Sequence, residues 1–181
     1  MHAPEPNLRR PVVYQGVSID ESTDDYVFGT FENVMLYAWR RHTTPHSLDV
    51  AAAACDRARD LGPSGKHAIF GVAEESAVVP GRDMRTAMSH LINSRVGMLC
   101  ASAFAFEGTG FRAATIRSVG IGLSILSRGL VPHRVFGTKR AGAEWIREEM
   151  QREGADCPDA ESLLRAMESL RRCPVSRLSS L

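Results

Sequence analysis

A chain of 181 residues, 44% hydrophobic and 24% charged, can bury a sizeable core without disulfides or a structural metal. Twenty-two Lys and Arg against 21 Asp and Glu leave a formal charge of +1, which gives no concentrated basic face for a phosphate backbone. No apolar run approaches the roughly 20 residues of a membrane-spanning helix, and the opening MHAPEPNLRRP lacks the apolar stretch of a secretory signal.

Residues 1 to 11 hold three prolines and read as a flexible lead-in. Val12 to Tyr14 start a strand or cover an edge, and GVSID (16–20) reads as a short strand. Asp24-Asp25 marks a turn. Tyr26–Phe31 and Val34–Arg40 form a hairpin around Glu32-Asn33, where Asn tolerates the left-handed backbone of a tight turn. In the second strand Val34, Leu36, Ala38 and Arg40 share one face, and Met35, Tyr37 and Trp39 the other. Two apolar faces predict a central strand covered on both sides.

The period then becomes helical. Ser47 is the expected cap, with Asp49 in the first turn and Leu48, Ala51, Ala52, Cys55 and Ala58 as the stripe, ending at Gly62-Pro63. AIFGVA (68–73) is a buried strand, and 82–93 a helix with Met84, Ala87, Met88, Leu91 and Ile92 as its stripe. GMLCASAFAF (97–106) is a strand whose alternation puts Met98, Cys100, Ser102, Phe104 and Phe106 on one side and Leu99, Ala101, Ala103 and Ala105 on the other. Phe111–Ser127 reads as a helix containing Gly120 and Gly122 and ending at Gly129, and Val131–Phe136 as a short strand. Thr138 caps a helix with Ala141, Trp145 and Ile146 facing the core. A last helix, 159 to about 172, carries Leu163, Leu164, Met167 and Leu170, with Arg165, Arg171 and Arg172 on its polar side. Strands alternating with helices predict an α/β fold: a mixed, mostly parallel sheet with an N-terminal antiparallel hairpin, about four flanking helices and one appended helix.

Cys55, Cys100, Cys157 and Cys173 have neither CxxC nor metal-site spacing and read as reduced thiols of a cytoplasmic protein.

Four segments, NVMLYAWRR, AIFGVA, GMLCASAFAF and HRVFGTKRAGAEWI, give an element order that resembles the STAS-like fold in its SpoIIAA-like branch, over residues 12–150. Residues 151–181 have no counterpart there. The resemblance implies a non-enzymatic binding and regulatory module. It also places a phosphorylation switch on a Ser or Thr after the second crossover strand. Ser76 in AEESAVVPG holds that place, with Glu74-Glu75 before it instead of the family's Asp and with Gly81 five residues later. A dianion there would face two carboxylates, so an ordinary surface loop is the competing reading.

The residues expected to meet a protein partner, or a second copy of the chain, are Arg41, His42, Glu75, Ser76, Gly108, Thr109 and Arg112, all in loops at strand ends. Glu107-Gly108-Thr109-Gly110, with Arg112 and Arg117 nearby, suits an anion or is a tight strand-to-helix turn. His42 and His46 flank Thr43-Thr44-Pro45 without a visible third metal ligand. His90 and His133 have no visible nucleophile partner, and no GxSxG, HExxH or paired-carboxylate pattern is present. No enzyme activity, cofactor, metal, nucleic acid or membrane span is expected. The competing function is a small-ligand or lipid pocket between sheet and helices, lined by Met98, Phe104 and Phe106.

Overall fold

The computed structural model describes residues 11–107 and 131–175. The helix expected over Phe111–Ser127 and the loop residues Gly108, Thr109 and Arg112 lie outside them.

Among the described residues seven strands form one sheet in chain order: β1 (Val12–Tyr14), β2 (Val17–Ser22), β3 (Tyr26–Phe31), β4 (Val34–Trp39), β5 (His67–Ala73), β6 (Leu99–Ala105) and β7 (His133–Phe136). The first four pair antiparallel and the last four parallel, with β4 belonging to both halves. Helices α1 (Pro45–Leu61) and α2 (Arg82–Asn93) connect parallel strands, and α3 (Lys139–Arg152) and α4 (Ala160–Arg172) follow β7. The α/β architecture is therefore the one expected, a mixed sheet with four described helices.

Strand β4 has the two-sided burial its sequence predicts. Val34, Leu36 and Ala38 enter one core with Phe70, Ile146 and Met167. Met35 and Trp39 enter the other with Phe28, Ala54 and Ile69. Helices α1 and α2 cover the second face, and α3 and α4 the first.

Helix α4 completes that first face. Leu163, Met167 and Leu170 are fully buried against the sheet, each contributing about 1.5–3 kcal/mol by burial alone. Gly29 lets it come close: a Cβ there would stand 2.9 Å from Leu170 Cδ1 and 2.7 Å from Ser18 O.

Several local expectations are corrected. The cap of α1 is Thr44, with Pro45 in the first turn; Ser47 is its capping-box partner, the Thr44 hydroxyl accepting from Ser47 N and the Ser47 hydroxyl from Thr44 N. The helix thus starts before Ser47 and leaves Asp49 beyond its first turn, and the buried stripe includes Val50 and Ala54 rather than Leu48 and Ala52. In the β3–β4 turn the left-handed residue is Glu32 (φ 49°). Asn33 serves through its side chain: Nδ2 donates to Asp156 O (2.7 Å) and Lys66 O (3.3 Å), tying the turn to two distant connections.

The alternation along β6 is broken by a bulge. His67 pairs with Leu99 and Ala68 with Ala101, so Cys100 is the extra residue. Cys100 therefore joins Ala101, Ala103 and Ala105 on the α3/α4 face, while Leu99 joins the core under α1. A second bulge in β2, between Ile19 and Glu21, turns Asp20 and Glu21 both toward α1. Asp20 Oδ1 accepts from Arg57 Nε and Nη2 (3.0 and 2.7 Å). Glu21 accepts from the Tyr26 hydroxyl (2.6 Å) and faces His46 Nε2 (3.2 Å).

Candidate functional site

Because β4, β5 and β6 run parallel, the loops that leave them gather at one end of the sheet. A cleft of about 650 Å³ opens there. Val72, Ala105 and Phe106 form its apolar part, and its walls carry Arg40, Arg41, Glu74, Glu75 and Ser76. Glu107, Lys139 and Arg171 complete the far side.

Two backbone-directed bonds lock the near rim. The Ser76 hydroxyl donates to Arg40 O (2.6 Å), and Val78 N donates to Arg41 O (2.7 Å). The loop after β4 is held in turn by Asp25, whose carbonyl accepts from the backbone N–H of Arg40 and Arg41 (2.8 and 2.9 Å). The Asp25 carboxylate accepts from His42 N (3.3 Å).

Arg40 clamps the corner of the cleft. Nη1 donates to Thr23 O (2.6 Å) and Ser22 Oγ (3.2 Å); Nη2 donates to Cys173 O (2.8 Å) and Arg171 O (3.2 Å). One guanidinium thus joins the end of β2 to the carboxyl end of α4, capping carbonyls that the helix leaves without donors.

An ionic chain crosses the floor. Arg171 forks onto Glu74 (Nε–Oε1 2.6 Å, Nη2–Oε2 2.7 Å) and reaches Glu168 (3.0 Å). Lys139 Nζ bridges Glu168 and Glu107, both at 2.8 Å. Glu107 also accepts from Lys139 N (3.1 Å), a carboxylate seated on the first turn of α3. Burial works against the ionised forms of Glu107 and Glu168, but the bonds from Lys139, joined at Glu168 by Arg171, outweigh it and hold both carboxyls below their usual range. The bonds that Arg171 donates to the Glu74 carboxylate outweigh burial and raise Arg171 further. Carboxylates fixed as anions by adjacent cations are poorly suited to exchanging protons near neutral pH.

Of the residues expected to meet a partner, Arg41, Glu75 and Ser76 share the cleft and His42 adjoins it. Arg171, expected on the polar side of α4, is engaged with Glu74 inside the cleft. Lys139 was not among the expected site residues, and Glu107 entered only as the start of the Glu107–Gly110 turn. The signals for them were the Thr138 cap, which places Lys139 at a helix start, and the position of Glu107 after an apolar strand. Only the sheet order brings them to Arg171.

The other candidates fall elsewhere. His46 faces Glu21, and His90 is exposed on α2. His133 Nδ1 lies 3.0 Å from Ser102 Oγ beneath the sheet's α1 side. Phe104 stacks on Tyr37 (centroids 6.4 Å, 19°), and Phe106 packs with Phe104, Ala73 and Val79. Met98 lies at the opposite end of β6. A gap among Phe28, Met35, Tyr37, Met88 and Leu91 measures about 40 Å³, close to the ~30 Å³ share of one water in the liquid.

All four cysteines are unpaired. Burial raises the Cys100 thiol and pushes Cys55 and Cys157 up to about 12. Among the described residues no helix is long and apolar enough to cross a membrane. Comparisons with protein-family models, curated proteins and solved structures find no match to this chain.

Proposed function

We propose that this chain is a non-enzymatic, STAS-like protein-interaction module, and that its partner docks on the cleft at the carboxyl ends of β4, β5 and β6. The observation that carries this reading is the rim: Arg41 and Ser76, 35 positions apart in sequence, are brought to one edge and held there by backbone-directed bonds. The floor beneath supports it. Its acids and bases neutralise one another as a fixed framework, leaving the exposed rim side chains for recognition.

A pre-ordered rim binds at little conformational cost, which favours a protein surface docking as a rigid body. Affinity purification tests the reading with three baits: the native chain, Arg41→Glu, and Arg59→Glu on the distant face of α1. A partner retained by the native chain and by Arg59→Glu but lost with Arg41→Glu is the expected result. Identical recovery with all three would remove the cleft from consideration.

A further inference from the structure

Two rim ions stand apart from the ionic chain of the floor. Among the described residues Arg41 and Glu75 have no ionic partner, whereas Glu74, Glu107, Lys139 and Arg171 are all paired inside the cleft. Asp24, the other rim carboxylate, lies in the field of Arg40. Arg41 and Glu75 sit on neighbouring loops whose spacing is fixed by the Val78 N to Arg41 O bond. Val78, on the same loop as Glu75, is 47% exposed.

This pattern selects among partners. An acidic segment would satisfy Arg41 and be repelled by Glu75; a basic segment would do the reverse. A surface carrying both signs at the same spacing satisfies both, and the chain's own rim is such a surface. A twofold axis between two copies brings the cation of each to the anion of the other, the reciprocal pattern of an isologous interface. An aliphatic side chain beside the charges supplies apolar area for the dry centre of such a contact.

We infer that the rim is a self-association surface, on which a second copy docks with Arg41 of each copy against Glu75 of the other and the two Val78 side chains between them. The inference rests on the interaction-module reading and names the partner.

Sedimentation velocity over a concentration series tests it. The native chain is expected to dimerise reversibly, more weakly as salt is raised. Arg41→Glu and Glu75→Arg should each raise the dissociation constant at least tenfold. The double variant, with the charges exchanged within each copy, should return to within about threefold of native, because both cross-pairs are re-formed. Val78→Asp should also weaken the dimer while far-UV circular dichroism shows an intact fold. A native chain monomeric at every concentration would overturn the inference, as would single reversals that dimerise like native or a double variant that does not recover. If the native chain is monomeric but a different protein is lost with Arg41→Glu in the affinity experiment, self-association fails and the module reading stands. If neither is seen, both fail.

Discussion

Replacing Arg40 with Met tests the corner that joins β2, β4 and α4. The aliphatic stem is kept and four hydrogen bonds are lost, to Ser22 Oγ, Thr23 O, Arg171 O and Cys173 O. A hydrogen bond from a charged donor contributes about 1.5–3 kcal/mol net. The corner is half-buried, so water recovers part of the loss at the freed carbonyls. A net destabilisation of about 3 kcal/mol follows, within the range for breaking a partly buried polar network. For a domain of this length that is a fall in Tm of roughly 6–12 °C. Urea titration followed by circular dichroism reads the free energy, and a thermal melt reads the second figure. Arg40→Lys should recover little, because one ammonium cannot reach acceptors on both sides of a planar fork. A loss below about 1 kcal/mol in Arg40→Met, or a lysine variant as stable as native, would refute the clamp.

Three further outcomes are expected. His67 is buried, and burial, with Arg95 adding to it, outweighs the opposing effects of Asp56 and the Met98 carbonyl and lowers its pKa to about 4. The unfolded chain takes up that proton first, so stability should be lost as pH falls below about 6.5, by roughly 2 kcal/mol at pH 5; urea midpoints over this range should flatten in His67→Leu, and an equal slope in both proteins would remove His67 as the cause. Asn33→Asp turns a donor facing two carbonyls into an acceptor and should destabilise more than Asn33→Ala, itself about 1–3 kcal/mol; the reverse order in urea unfolding would contradict the staple. Cys55, buried and pushed up to about 12, should react with a disulfide reagent at pH 7.5 only as fast as the chain opens; labelling at the rate of a free thiol would show the α1 core to be open.

Much of the fold could be read from local pattern. The double-faced apolar run of Val34–Trp39, the change to helical period after it, and the sequence of strands and helices are all properties of neighbouring residues, and the sheet follows them. What the pattern missed depends on one extra residue or on partners far along the chain. The bulge at Cys100 exchanges the faces of Leu99 and Cys100 without changing the composition of the strand. The bulge in β2 turns Asp20 toward Arg57, 37 positions away. Thr44 displaces Ser47 as the cap because Pro45 suits the first helical position and lets the helix begin earlier. At the site, Arg41, Glu75 and Ser76 were visible as loop residues at strand ends. The Glu74–Arg171 pair spans 97 positions, and only the docking of α4 on the sheet creates it.

The seating of Leu170 over Gly29 has a consequence for how the chain matures. Strands β1 to β4 zip from hairpins with short closures and can form early during synthesis. One side of that meander nevertheless stays uncovered until residues 160–172 have left the ribosome, and Val17, Val27 and Leu36 face water in the interval. A nascent chain stalled before that point should therefore bind hydrophobic dyes and recruit chaperones, and release both once the last helix is made.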